Sequence, residues 1–293
     1  MSMSPRPRRS CLYMPGANAK ALEKGKSLPA DVLILDLEDS VAPEAKEEAR
    51  AAVAAAVDGG GYGKRELVVR VNALSTPWGA ADIAALAAKP IDGVLVPKIQ
   101  TASDVLAANE ALGASGASEG LALWVMIETP RAILNLRKIA AASRTTRLGA
   151  FVMGLNDLAK ELRARMTADR VAFQTALSLS IAAARARGLV AIDGVYNDIQ
   201  NSDGFIDECR QGVAFGFDGK TLIHPTQIDA CNEIYAPSAD EIAWAHAVIA
   251  AFALPENAGK GVIKVDGKMT ELLHLEEAKR VAALCDAIES LRV

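Results

Sequence analysis

Eight short apolar runs, each followed by a helix-like segment, constrain this chain more than any other feature. They begin at Cys11, Val32, Leu67, Gly93, Leu123, Phe151, Leu189 and Phe217. Each is too short to be a buried helix and reads as a buried strand. The intervening segments, over about 17–28, 43–57, 79–88, 102–112, 131–141, 168–187 and 204–212, read as helices. A strand and a helix alternating eight times is the pattern of an α/β (β/α)8 TIM barrel. A doubly wound sheet is the alternative, but no GxGxxG follows the first strand to support a dinucleotide fold. The expected catalytic domain is 1–254. Pro255 to Gly261 reads as a linker, and 255–293 as a C-terminal arm with a helix over about 272–290, placed to cover a neighbouring subunit's site.

In such a barrel the C-terminal ends of the strands share one rim, where active sites are built. Two acids reach it: Glu128 closes Leu123-Trp-Val-Met-Ile-Glu, and Asp157 follows Phe151-Val-Met-Gly-Leu-Asn. Two carboxylates there suit Mg²⁺, a hard cation that takes a few protein oxygens and leaves its other positions to water or substrate. Capping of the next helix by one acid and solvation of the other is the bland alternative. Arg70 ends the third strand, so its guanidinium emerges at the same rim, where it can bind a carboxylate bidentately or pair with Asp36 or Glu38. Lys98, just past Pro97, is either a Schiff-base lysine or the ion-pair partner of a rim acid, and nothing marks it as depressed in pKa. His224 follows the eighth strand and suits either substrate contact or a structural hydrogen bond.

The other classes are excluded by what is missing. The three histidines are dispersed, which removes zinc, and no GxSxG supports a serine hydrolase. A net charge of −4 with no basic domain argues against nucleic acid. Arg6, Arg8 and Arg9 form a small basic cluster, read as a solvated tail or an anion contact. No run approaches a membrane span and no signal-peptide core is present, so a cytoplasmic protein is expected. The scattered Cys11, Cys209, Cys231 and Cys285 suit reduced structural thiols.

Longer strings carry a resemblance. Arg9-Ser-Cys-Leu-Tyr-Met-Pro-Gly-Ala-Asn-Ala, Leu35-Asp-Leu-Glu-Asp-Ser-Val-Ala-Pro, Val69-Arg-Val-Asn-Ala-Leu, Ile127-Glu-Thr, Gly216-Phe-Asp-Gly-Lys and Gly267-Lys-Met occur in order along the chain. Together they resemble the citrate lyase β-chain family, whose stand-alone relatives include malyl-CoA and citramalyl-CoA lyases. The resemblance implies a Mg²⁺-dependent carbon–carbon lyase that yields acetyl-CoA and an oxo acid, on a TIM barrel, as a homo-oligomer (trimer or hexamer). Carried over by position, it implies Glu128 and Asp157 as metal ligands, Arg70 as a substrate and catalytic contact, and Tyr13, Lys24, Ile223 and His224 as lining of the acyl-CoA or oxo-acid site. Asn18 stands where those lyases often carry an arginine. Glu271, in Gly267-Lys-Met-Thr-Glu, stands where the family typically has an aspartate that enters a neighbouring subunit's site as acid/base. The extra methylene moves the carboxyl by more than about 1 Å, a displacement that costs on the order of 100-fold in rate unless the pocket re-adjusts. Three alternatives stay open: a malyl-CoA thioesterase or malate-synthase-like enzyme, a β subunit of citrate lyase working with an α chain and an acyl carrier protein, and a non-catalytic acyl-CoA binder.

Overall fold

The computed structural model describes residues 6–291. The chain divides into two units, Arg8–Tyr235 and a C-terminal unit beginning at Ala236. In the first, β1 (Ser10–Pro15), β2 (Val32–Asp36), β3 (Glu66–Arg70), β4 (Gly93–Val96), β5 (Ala122–Ile127), β6 (Leu148–Met153), β7 (Val190–Asp193) and β8 (Gly219–Leu222) form a closed barrel in sequence order. Every neighbouring pair is parallel, and β1 closes on β8 with Cys11 opposite Thr221. This is the (β/α)8 barrel expected from the sequence.

Strand parity decides what fills it. Successive side chains on a strand point to opposite faces. Val32 and Ile34, Val68, Leu95, Trp124 and Met126, and Val152 pack together as the lumen core, while Leu33, Leu35, Val69, Val94 and Val125 pack outward against the helices. The lumen parity of β2, β3 and β5 continues to Asp36, Arg70 and Glu128. The alternation that builds the core therefore delivers these three charged side chains to the mouth of the barrel.

Arg8 and Arg9 are neither a solvated tail nor an anion contact, because both are buried in ion pairs at the start of β1. Arg8 donates to Glu66 at 2.9 Å and lies over the Trp124 ring, plugging the lumen beneath its core. Arg9 holds Asp31 through Nε and Nη2, both at 2.8 Å. A second buried network joins β7 and β8 to α8 (Ser202–Phe215): Lys220 donates to Glu208 at 2.6 Å, and Arg170 to both Asp193 oxygens at 2.8 Å. The helix expected over 168–187 begins later, as α7 (Gln174–Arg185). Arg170 sits before it at φ +51, turning into that network instead of into a helix.

The C-terminal unit contains α10 (Ala239–Ala253), β9 (Val262–Val265), β10 (Lys268–Glu271) and α11 (Leu272–Leu291). In this division α10 falls in the C-terminal unit. Its own core joins Val248, Ile263, Val265, Ala278 and Val281. Asp266 and Gly267 both have positive φ, 48° and 82°, the two-residue turn that matches the twist of a hairpin. Among the described residues no helix is long and apolar enough to cross a membrane. All four cysteines are free thiols.

Candidate active site at the barrel mouth

A cleft of about 360 Å³ opens where the strand ends converge, lined by Tyr13, Asp36, Arg70, Glu128, Asp157 and Ile223 among others. Arg70 is fixed before any ligand arrives. Its Nε and Nη2 grip the two oxygens of Asp36 at 2.7 Å each, and its guanidinium carbon lies 4.6 Å from the centre of the Tyr13 ring. Nη1 lies 2.9 Å from Glu38 Oε2 and 3.2 Å from Asp39 Oδ2. The structural pairing of Arg70 and its exposure to the cleft therefore coexist: one edge is anchored, and Nη1 remains on the side shared with solvent-facing Asp39. Burial disfavours ionised Asp36, but the Arg70 guanidinium and the hydrogen bonds outweigh it and hold the carboxyl below its usual range. Burial pushes Glu38 up to about 8 against the pull of Arg70, and raises the Tyr13 phenol, which stays protonated.

Glu128 is 1% exposed. Its Oε1 accepts the Lys98 backbone N–H at 2.6 Å, while its buried Oε2 has no hydrogen-bond partner among the described residues. Gly154, capping the N-terminus of α6 (Leu155–Leu162), makes room for that carboxylate, since a Cβ there would stand 2.5 Å from Glu128 Oε2. Asp157 lies in the first turn of α6, where the helix dipole favours an anion. Lys98 Nζ bridges the two acids, 2.5 Å from Asp157 Oδ2 and 3.4 Å from Glu128 Oε1. Burial pushes Glu128 up to about 7, opposed by the Lys98 ammonium and N–H. Burial works against the ammonium too, but Glu128 and Asp157 outweigh it and raise its pKa.

An unpartnered buried carboxylate oxygen beside a second carboxylate is an all-oxygen donor set suited to Mg²⁺, with most positions left to water or substrate. Among the described residues no group of three or more His, Cys, Asp or Glu side chains gathers as a closed metal cage. An open, two-carboxylate site is the form the pair allows.

Other expected site residues stand apart from the cleft. Lys24 is exposed on α1 (Ala19–Gly25), outside the lining. His224 also lies outside it: its Nδ1 is 2.8 Å from Thr226 Oγ1 and caps the turn Pro225–Gln227, the structural hydrogen bond weighed for it. Glu271 ends β10 in the C-terminal unit, where its N–H donates to His274 Nδ1 at 2.9 Å. Sequence reasoning passed over Asn156 and Asn197, which line the cleft and exchange amide hydrogen bonds of 3.1 and 2.8 Å between the first turn of α6 and the loop after β7. The adjacency of Asn156 to Asp157 was the available signal; Asn197 had none, because its partner is 41 residues away.

Residues 9–225 match the profile of the HpcH/HpaI aldolase/citrate lyase family. The chain is 45% identical to a (3S)-malyl-CoA thioesterase of Cereibacter sphaeroides, covering 98% of each chain. It is 38% identical to the citrate lyase subunit beta of Escherichia coli, over 94% of this chain and 92% of that one. Among solved structures, a CitE protein of Mycobacterium tuberculosis in complex with magnesium, acetoacetate and coenzyme A is 30% identical, with a TM-score of 0.75, covering 97% of this chain and 100% of the other.

Proposed function

This chain belongs to the HpcH/HpaI aldolase/citrate lyase family, and from that premise we propose that it is a Mg²⁺-dependent enzyme acting on the CoA thioester of a short hydroxy diacid, malyl-CoA foremost. The observation that carries this reading is the buried Glu128 carboxylate with an unpartnered oxygen, next to Asp157 and facing a cleft that also holds Arg70. Cleavage of the carbon–carbon bond came first from the sequence. The 45% identity to malyl-CoA thioesterases across the chain favours hydrolysis, and cleavage remains the second reading because of the citrate lyase relative.

Glu128 and Asp157 would hold the metal, which when bound supplies Lewis-acid stabilisation of negative charge developing on a substrate oxygen. Arg70 Nη1, the guanidinium nitrogen not used on Asp36, takes the free carboxylate of the acyl group through a charge-assisted hydrogen bond in place of its 3.2 Å contact with Asp39, on a guanidinium already locked by Asp36 and Tyr13. That anchoring lowers the entropic cost of orienting the thioester. Ile223 and Met126 supply apolar wall to the cleft. In hydrolysis a water adds to the thioester carbonyl, the C–S bond breaks, and CoA leaves as thiol with the water's second proton, giving the free diacid. In cleavage the hydroxyl loses its proton, the C–C bond breaks to release the oxo acid, and the acetyl-CoA enolate takes a proton on carbon. Glu271, contributed by a neighbouring copy in a trimer or hexamer, is the acid/base in both cases.

The test is malyl-CoA with Mg²⁺ and purified protein, products identified by mass spectrometry, with an EDTA control. Malate plus free CoA establishes hydrolysis, and glyoxylate plus acetyl-CoA establishes the lyase. EDTA-resistant turnover removes the metal from the mechanism. No turnover removes the CoA-thioester reading and points to an acyl carrier protein and an α chain as partners, or to binding without catalysis.

A further inference from the structure

Lys98 stands in a backbone conformation that side chains rarely adopt. Its φ of +57° is left-handed, where glycine is at ease and lysine is strained. Strain of this kind persists only where the surroundings enforce it, and it gathers at functional sites. Two contacts enforce it here. The left-handed turn after β4 delivers the Lys98 N–H to Glu128 Oε1 at 2.6 Å, and it sends the side chain across the mouth so that Nζ reaches Asp157 Oδ2 at 2.5 Å and Glu128 Oε1 at 3.4 Å. A glycine would keep the first contact without strain, so the second accounts for a lysine.

The ammonium thus joins the two carboxylates on which the proposed metal site rests. A divalent ion held by the same two carboxylates would have the Lys98 ammonium as a close like-charged neighbour in a half-buried place, where screening is weak. The Lys98 side chain, unlike its backbone, is free to leave: it is 32% exposed and, among the described residues, carries no other ion pair. We propose that Lys98 is a built-in counter-cation, which holds Glu128 and Asp157 together in the metal-free protein and is displaced from them by the incoming divalent ion, while its backbone N–H stays on Glu128. Such a device keeps two close carboxylates assembled while no metal is bound, at the expense of metal affinity, and sets the free-ion concentration at which the site fills.

This inference rests on Glu128 and Asp157 being the metal ligands, and the experiment separates the two. Mg²⁺ is titrated calorimetrically into metal-free wild type, Lys98→Met and Lys98→Arg at pH 9, without substrate, and each protein is melted in EDTA and in Mg²⁺. Methionine keeps an unbranched side chain one atom shorter than lysine and the same backbone demand, so the comparison chiefly removes the charge. Lys98→Met is expected to bind Mg²⁺ about ten-fold more tightly than wild type, to melt lower in EDTA, and to gain more from Mg²⁺. Lys98→Arg should follow wild type. Wild type and Lys98→Met binding equally, or Lys98→Met binding more weakly, overturns the counter-cation and leaves the metal site standing. If neither binds Mg²⁺, both readings fall.

Discussion

Glu128 is the residue on which the site turns, and its burial has a measurable consequence. A folded-state pKa of about 7 lies above the ~4.3 of a free glutamate, so the folded protein binds this proton more tightly than the unfolded chain. The stability that follows is complete below about pH 4 and is lost as pH rises through 7. Glu38, pushed up to about 8, adds in the same direction. Glu128→Gln is therefore expected to stabilise the metal-free protein at pH 8.5 by roughly 2 kcal/mol in denaturant melts, the gain vanishing near pH 4.5. The same variant should lose the stabilisation that Mg²⁺ gives wild type. A gain that persists at pH 4.5 would show that the ionised carboxylate is not the cause.

At the scale of elements, the site depends on where one strand ends and the next helix begins. β6 ends at Met153, α6 starts at Leu155, and the single residue between them is the glycine that lies against Glu128. Gly154→Ala places a methyl 2.5 Å from both Glu128 Cβ and Oε2, and a buried carboxylate held by a backbone N–H has little room to yield. This substitution is expected to weaken Mg²⁺ binding at least ten-fold and to cost about 1–3 kcal/mol of stability by overpacking. Unaltered Mg²⁺ affinity in calorimetry would place the metal elsewhere. The mutual hydrogen bonds of Asn156 and Asn197 tie the first turn of α6 to the loop after β7 across the same opening, so the mouth is braced on the side of Asp157 as Asp36 braces it on the side of Arg70.

At the scale of the molecule, the barrel unit holds the cleft and every residue that lines it, whereas Glu271 belongs to the C-terminal unit, with a core of its own. If Glu271 serves the site of a neighbouring copy, two separately inactive variants complement each other. Glu128→Gln and Glu271→Gln, unfolded together and refolded as mixed oligomers, are expected to recover up to about a quarter of wild-type activity, because a fraction of sites then combines an intact Glu128 with an intact Glu271 from another copy. No recovery, with mixed oligomers demonstrated by mass, would confine Glu271 to its own chain or remove it from the reaction.

The sequence by itself determined the barrel, because eight apolar runs separated by helical segments leave few ways to cover eight strands. It also pointed to two acids of the rim, Glu128 directly after β5 and Asp157 in the first turn of the helix after β6. The hairpin of the C-terminal unit was legible too, in Asp266-Gly267 between two apolar-bearing stretches, although the expectation for 255–293 was only of an arm with a helix. Tertiary structure alone decided the rest. Arg8 and Arg9 look like a solvated tail until Glu66 and Asp31, far along the chain, bury them. Lys98 was legible as a rim lysine with an acid for a partner, but its left-handed turn and its reach to both Asp157 and Glu128 come only from the fold. Periodicity reports which face a side chain takes within its own element. Which charges meet across the mouth of a closed barrel depends on register and loop geometry among strands dozens of residues apart, and local pattern carries no record of either.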